Sequence, residues 1–269
     1  MIKNVFLMCI IGLVLICICV AGLPGREVQV SFLNVGQGDS IFVRTPDDYF
    51  ILIDGGPSVS VLEELAEVMP RYNRTIDLVL ITHPHADHVN GLVEVVKRFE
   101  VKGVMLVGTP SGNTFYQEIL RLCGEQGIPI YFGESGRDVK VGSYLYIDVV
   151  WPSRSMAGVE FENLNNASLA VRLIMPDKVF MLTGDAEEEE EREILRSGFD
   201  LSADIFKAGH HGSKTASSDE FLDAVEPDTV VIQSGAGNSF GHPHKEVLER
   251  LLRLGIQVRR NDLEGRVEI

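Results

Sequence analysis

The chain has 269 residues, of which 45% are hydrophobic and 23% are charged, and its formal net charge is −15. This composition is ordinary for a globular protein and no low-complexity linker divides it, so we expect one domain with a sizeable core. Nucleic-acid-binding proteins usually carry a basic face, and the acidic balance therefore argues against tight, non-specific DNA binding. It does not exclude a phosphodiesterase, because bound divalent ions dominate the local field of an active site.

The N-terminal segment differs from the rest of the chain. Residues 5–21 are apolar without interruption, Lys3 precedes them, and the next charged residue is Arg26. This pattern is typical of a signal peptide or an N-terminal membrane anchor, with a buried core helix as the alternative. We therefore expect residues 1–25 to export or anchor the chain and residues 26–269 to form a domain outside the cytoplasm, attached to the membrane if the segment is not cleaved.

The remainder of the sequence alternates between strand and helix patterns. In the first half we predict strands at 28–33, 41–44, 49–53, 77–81, 101–107, 128–132 and 144–150, and helices at 58–69, 88–98 and 114–124. Residues 153–165 have no clear periodicity and are predicted to form a long loop. In the second half we predict strands at 168–175, 178–183, 203–207, 228–232, 256–260 and 265–269, and helices at 186–196, 218–225 and 243–253. Periodicity alone thus indicates a mixed α/β fold.

Four side chains of the types that bind metals follow the predicted strand at 77–81 within six positions: His83, His85, Asp87 and His88. Pro84 keeps His83 out of a helix, which places the first two in a loop and the last two at the start of the next helix. Four such groups are more than one catalytic ion needs from a single segment, which favours two ions sharing a hydroxide. The alternative is a helix start capped by Asp87, with incidental histidines.

The His-x-His-x-Asp-His spacing resembles the signature of the metallo-β-lactamase fold. Five further segments resemble the extracytoplasmic hydrolase domain of ComEC-type competence proteins: LNVGQGDS at 33–40, ILIDGG at 51–56, LTGD at 182–185, KAGHHGSKTAS at 207–217 and GHP at 241–243. The resemblance covers about residues 27–269. It implies an α/β fold arranged as a four-layer αββα sandwich.

The resemblance also implies two divalent ions, Zn2+ or Mn2+, held by six residues: His83, His85, Asp87, His88, Asp185 and His210. Asp185 would bridge the ions, and Asp87 would also orient the hydroxide. His211 would either orient a ligand or meet the substrate, and His242 would contact either the substrate or a metal. Together with Asp87, these two are the candidate catalytic residues. Asp54 would orient the ligands from beneath, although it could instead cap the predicted helix at 58–69.

One ligand of the resembled pattern is missing. Most two-metal members of the superfamily carry another histidine before the bridging aspartate, but no histidine lies between His88 and His210. By the resemblance, Asn165 or Asn166 takes that place. An amide oxygen is a harder and weaker ligand than imidazole, so we expect looser metal binding at the first site and manganese as a candidate beside zinc.

The expected function is a metal-dependent hydrolase, a phosphodiesterase or nuclease that acts on DNA by means of a metal-bound hydroxide. Ser213, Lys214 and Thr215 would hold phosphate oxygens. Two alternatives remain open. One is a lactone, ester or β-lactam hydrolase using the same site. The other is a non-catalytic, anchored component of a DNA-uptake or envelope assembly. The oligomeric state is not indicated.

Overall fold

The computed structural model describes residues 27–269, and the predicted export or anchor segment at 1–25 lies outside them. Between residues 27 and 269, no helix combines the length and the apolar character that crossing a membrane requires.

The described strands are β1 (Gln29–Phe32), β2 (Ile41–Arg44), β3 (Phe50–Ile53), β4 (Thr75–Ile76), β5 (Leu78–Ile81), β6 (Glu100–Val101), β7 (Val104–Leu106), β8 (Ile130–Phe132), β9 (Val139–Val141), β10 (Leu145–Trp151), β11 (Ala170–Ile174), β12 (Val179–Leu182), β13 (Ile205–Lys207), β14 (Thr229–Ile232), β15 (Gln257–Arg260) and β16 (Val267–Glu268). The α-helices are α1 (Ser60–Val68), α2 (Ala86–Val89), α3 (Leu92–Arg98), α4 (Thr114–Gln126), α5 (Glu188–Arg196), α6 (Asp219–Val225), α7 (Lys245–Leu254) and α8 (Asn261–Glu264). Short 3-10 turns occupy Leu164–Ala167 and Gly209–Gly212.

Two seven-stranded sheets organise the domain. The first has the order β16-β1-β2-β3-β5-β7-β8, and the second has the order β15-β14-β13-β12-β11-β10-β9. The predicted hairpins β2–β3 and β11–β12 are both present and antiparallel. The last strand, β16, returns to the first sheet and pairs with β1, so the two ends of the described chain meet in one sheet.

Apolar side chains fill the space between the sheets and cover both outer faces. Across the middle, the rings of Phe32 and Phe180 approach to 6.4 Å between centroids. The outer face of the first sheet packs against α1, α3 and α4. The outer face of the second packs against α5, α6 and α7. Strands such as β3 and β5 are apolar at every position because helices bury the face that the other sheet leaves open. The predicted four-layer αββα sandwich is confirmed.

Some predicted boundaries differ from the structure. The predicted helix at 88–98 is two helices, α2 and α3, with Asn90 and Gly91 between them. A Cβ at Gly91 would lie 2.0 Å from the Gly55 carbonyl oxygen, so this close approach requires glycine. The predicted strand at 101–107 is divided between β6 and β7, and neither β9 nor α8 was predicted. None of these elements is longer than four residues, which is too short for a hydrophobic period to be recognised.

One edge of the sandwich is distinguished by the ends of parallel strands. Strands β3 and β5 are parallel in the first sheet, and β12, β13 and β14 are parallel in the second. Parallel strands end at the same edge, where open α/β sheets commonly bind ligands. The residues that follow these strands are Asp54, the loop from His83 to His88, Asp185, the His210–His211 pair and Gln233.

Candidate metal centre

Asp185 lies at the centre of the converging side chains. Its side chain is buried, and its Oδ2 atom lies 3.3 Å from His88 Nε2 and 3.2 Å from His211 Nε2. Asp87 Oδ2 lies 3.2 Å from the same nitrogen of His211. One ligand atom from each of Asp87, His88, Asp185 and His211 can be chosen so that all four lie within 4.8 Å of one another.

Hydrogen bonds on the far side fix the rings of His88 and His211. His88 Nδ1 donates to Asp54 Oδ2 over 2.8 Å, and the Asp54 carboxylate also accepts bonds from the backbone and hydroxyl of Thr82. His211 Nδ1 donates to the Gln233 carbonyl oxygen over 3.0 Å. With the proton on Nδ1, each neutral ring presents its Nε2 lone pair to Asp185. Asp54 therefore orients a histidine, and α1 has no side-chain cap.

Lone pairs and carboxylates that face one another in a buried site repel unless a cation lies between them. In the protein without metal, protons can provide that charge. Burial opposes protonation of His88 and His211, but nearby carboxylates, Asp185 above all, outweigh burial and raise the pKa of both imidazoles well above the usual value. The donor set of imidazole nitrogens and carboxylate oxygens fits a divalent ion such as Zn2+.

A second group of ligand atoms lies near the same oxygen of Asp185. His83 Nε2 is 3.0 Å from His85 Nδ1 and 3.9 Å from Asp185 Oδ2. Burial and the neighbouring His88 hold the pKa of His83 well below its usual value, so this imidazole is neutral and able to bind a metal. The two groups share Asp185, which fits the predicted bridging position.

The structure distinguishes Asn165 from Asn166. Asn165 donates to Glu187 through Nδ2, while its buried carbonyl Oδ1 has no hydrogen-bond partner among residues 27–269. Asn166 is occupied elsewhere: Oδ1 accepts from the Glu187 backbone and Nδ2 donates to Glu189, which fixes the start of α5. Asn165 is therefore the amide with an oxygen available for a metal.

The paired histidines do not occupy the positions that the sequence prediction gave them. His210 was expected as the ligand, but His211 joins Asp87, His88 and Asp185. His210 lies at the rim, a quarter exposed, with Nδ1 3.1 Å from Glu187 and Nε2 4.0 Å from Asp185. Both residues have left-handed backbone, with φ of 44° and 55°. This conformation turns His211 inward and costs on the order of 1–3 kcal/mol per residue.

The residues predicted to meet the substrate or to hold its phosphate differ in exposure, since His211 and Ser213 are buried and His242 is half-buried beside the centre. The His242 ring is 6.2 Å from that of His211 between centroids, and burial together with the neighbouring histidines lowers the pKa of His242 to about 4. Lys214 and Thr215 are exposed. Ser213 is buried and its hydroxyl is bonded to Thr215 over 3.0 Å, which leaves it less available to a phosphate than predicted.

Asp39 and Lys207 are two further charged residues buried beside the ligands, and the sequence prediction assigned no role to either of them. Both are buried and form an ion pair, and Asp39 Oδ1 lies 3.1 Å from His211 Nδ1. Two features of the sequence could have indicated these residues. Asp39 is the aspartate of the VGQGDS segment, and Lys207 ends an apolar strand shortly before the histidine pair. Their partners lie on distant segments, so neither feature specified a contact.

The chain is similar to known proteins in sequence and in fold. Residues 33–110 match the metallo-beta-lactamase superfamily. ComE operon protein 3 of Bacillus subtilis is 30% identical over 260 residues, which cover 90% of this chain and 33% of that protein. Competence protein ComA of Neisseria gonorrhoeae is 28% identical, with 91% and 32% covered, and recombination protein 2 of Haemophilus influenzae is 28% identical, with 98% and 32% covered. The chain thus spans about a third of the length of these relatives.

Solved structures show the same fold at low sequence identity. YhfI from Bacillus subtilis, a metallo-beta-lactamase fold protein, superimposes with a TM-score of 0.58 at 12% identity, covering 91% of this chain and 100% of that one. Tm1679, described as a metal-dependent hydrolase of the beta-lactamase superfamily, gives a TM-score of 0.57 at 16% identity, with 90% and 99% covered. The chain therefore has the metallo-β-lactamase fold and is a homologue of ComE operon protein 3, competence protein ComA and recombination protein 2.

Proposed function

We propose that this protein is a divalent-metal-dependent hydrolase that cleaves phosphodiester bonds in DNA. The observation that carries the proposal is the convergence of His88 Nε2 and His211 Nε2 on the Asp185 carboxylate, with their Nδ1 protons engaged elsewhere. This arrangement suits a cation. The homology to a protein named competence protein ComA supports DNA as the substrate, because competence is the uptake of DNA.

The ligand atoms form two sets around Asp185. One ion would be held by His83, His85 and the Asn165 carbonyl, and the other by three further residues: Asp87, His88 and His211. When bound, divalent ions of this kind lower the pKa of a coordinated water towards about 7 and polarise a phosphoryl oxygen.

Asp87 is the carboxylate of the centre that solvent reaches, since its side chain is 33% exposed and that of Asp185 is 2% exposed. Burial alone would raise its pKa, but the His211 and His88 imidazoles outweigh burial and hold the pKa of Asp87 well below its usual range. Asp87 is therefore ionised at neutral pH. It orients a water at the open side by accepting a hydrogen bond.

Rim residues are placed to bind the substrate. The exposed Lys214 ammonium and the Thr215 hydroxyl can donate charge-assisted hydrogen bonds to phosphate oxygens. With its pKa near 4, the His242 imidazole is neutral at pH 7 and can donate one N–H to a phosphate oxygen without carrying charge.

The test is turnover by the purified full-length protein. We expect hydrolysis of bis(p-nitrophenyl) phosphate and of single-stranded DNA with Zn2+ or Mn2+, loss of both activities with a chelator, and at least a roughly 100-fold decrease in Asp185→Asn. Protein that binds metal but turns over neither substrate would contradict the proposal. Turnover of an acyl lactone or nitrocefin alone would assign the centre to ester or lactam hydrolysis instead.

We also propose that the domain works outside the cytoplasm, exported or anchored by residues 1–25. The support is the uninterrupted apolar run at 5–21 that follows Lys3. Cell fractionation with N-terminal sequencing of the recovered protein tests this. Recovery in the cytoplasm with Met1 or Ile2 at the N-terminus would contradict it.

A further inference from the structure

An exposed aromatic side chain lies beside the mouth of the metal centre. Phe240, in the loop between β14 and α7, is 63% exposed. One face of its ring stacks on His242, with centroids 5.8 Å apart and planes 27° from parallel. The His242 ring is in turn 5.5 Å from the ring of His210. A row of flat rings therefore runs from solvent to the rim of the centre.

The loop that carries Phe240 is fixed by side-chain hydrogen bonds. Asn238 Oδ1 accepts from the backbone nitrogens of Phe240 and His242, and its Nδ2 donates to the carbonyl oxygens of Gly235 and His242. Gln37 Oε1 accepts from the Gly235 nitrogen over 3.0 Å, which ties the loop to the first half of the chain. The ring is thus held in position before any ligand arrives, which reduces the entropy lost on binding.

The charge of the chain limits how it can hold a nucleic-acid strand. With a net charge of −15, the protein lacks the general attraction for phosphates that supplies most non-specific affinity. Binding must then depend on bound cations and on uncharged contacts. Stacking of bases on aromatic rings is such a contact, and it tolerates any sequence because every base has a π-face. A base in a duplex is already stacked and paired, so an exposed ring can receive only an unpaired base.

We propose that Phe240 is a stacking platform for an unpaired nucleobase of the strand whose phosphodiester lies at the metal centre, so that single-stranded nucleic acid is the preferred substrate. The ligand's identity rests on the proposed function. The distances suit the proposal: a strand rises about 3.4 Å per nucleotide in duplex DNA, so the two ring-to-ring steps from Phe240 to His210 span only a few nucleotides.

The platform is tested by a cycle that combines one change in the protein, a substitution of Phe240, with one change in the substrate, the removal of a base. Full-length wild type, Phe240→Ala and Phe240→Trp are assayed on a single-stranded oligonucleotide in which an abasic nucleotide replaces each nucleotide in turn. In wild type we expect one position at which the abasic nucleotide lowers kcat/KM at least about tenfold. In Phe240→Ala the intact strand should already show that loss, and the abasic nucleotide should add nothing further. Phe240→Trp should behave as wild type.

Several results would overturn the platform. The first is a Phe240→Ala change that lowers kcat/KM by the same factor, relative to wild type, on the abasic strand as on the intact strand, because the two changes would then act independently. The others are no loss in Phe240→Ala on the intact strand, and cleavage of a blunt duplex as fast as of the single strand. If no oligonucleotide is cleaved, the proposed function fails, and binding of a short single strand containing 2-aminopurine still decides the platform. Fluorescence quenching by wild type and Phe240→Trp that is absent in Phe240→Ala supports it, whereas equal quenching, or none, by all three rejects it.

Discussion

The buried ammonium group of Lys207 lies 3.5 Å from Asp185 Oδ1, while the other oxygen of that carboxylate faces His88 and His211. Lys207 also pairs with Asp39 and donates to the Gly184 carbonyl over 3.0 Å. Burial opposes its charge, but the carboxylates of Asp39 and Asp185 outweigh burial and raise the pKa of Lys207. A single cation therefore offsets part of the buried negative charge of Asp39 and Asp185.

Replacing this cation should destabilise the domain. In Lys207→Met, Asp39 and Asp185 lose their fixed counter-charge, and we expect the free energy of unfolding of the metal-free protein to fall by about 3–5 kcal/mol. Urea denaturation with linear extrapolation measures the change. The double variant Lys207→Met/Asp39→Asn removes one of the two carboxylate charges and should recover part of the loss. If the double variant is as unstable as the single one, the ion pair is not the source of the effect.

The two adjacent histidines offer a matched comparison. His211→Ala removes a nitrogen that faces both Asp87 and Asp185, and we expect the loss of one bound ion per chain with a decrease in phosphodiesterase activity of roughly 100-fold or more. His210→Ala changes the neighbouring rim residue and should retain both ions. Elemental analysis after gel filtration measures the ion count. Retention of both ions in His211→Ala, with the loss of one in His210→Ala, would identify His210 as the metal ligand, as predicted from the sequence.

This pair also illustrates what could be predicted from the sequence. The loop at 83–88 and Asp185 each follow an apolar strand closely, and a strand end fixes where the next residues lie, so the sequence can indicate their position at one edge of the sheet. Choices between identical neighbours could not be made in this way. His211 is selected over His210 by left-handed backbone and a bond to the Gln233 carbonyl, which depend on tertiary structure.

The two asparagines offer a second comparison. The Asn165 carbonyl oxygen is buried without a hydrogen-bond partner in the described part of the chain, and the Asn165 side chain lies next to His85. Asn165→His replaces a weak amide oxygen by an imidazole, and we expect the affinity of the first site for Zn2+ to rise about tenfold or more. Competition with a chromophoric chelator measures this affinity.

Asn166→His serves as the matched control. It removes the bonds from Asn166 to the Glu187 backbone and to Glu189, so we expect lower stability and no gain in zinc affinity. A gain in this variant, with none in Asn165→His, would show that Asn166 occupies the ligand position.

Proton linkage should accompany metal binding. Because the pKa values of His88 and His211 are raised well above normal in the metal-free protein, both imidazoles are protonated at pH 7 and must release their protons to a metal. We expect proton release on Zn2+ binding at pH 7, visible as a dependence of the calorimetric enthalpy on the ionisation enthalpy of the buffer. An enthalpy that is the same in every buffer would contradict this.

The same two histidines predict how the stability of the metal-free protein depends on pH. A folded-state pKa above the unfolded value means that the stabilisation is fully present below about pH 6.5 and is lost as the pH rises through the folded-state values. We therefore expect the midpoint of thermal unfolding to fall as the pH is raised above neutrality in the presence of a chelator. Saturating Zn2+ should reverse this trend, since the metal replaces the protons.

In the proposed metal centre, Asp185 brings together ligands from distant loops around divalent cations. Anomalous diffraction from crystals grown with Zn2+, recorded on both sides of the zinc absorption edge, would locate these cations. The expected result is a zinc peak in contact with Asp185 Oδ2, His88 Nε2 and His211 Nε2, with a second peak at His83, His85 and Asn165 at higher zinc concentration. A map without a zinc peak at Asp185 would contradict the assignment of the metal centre and of the hydrolase.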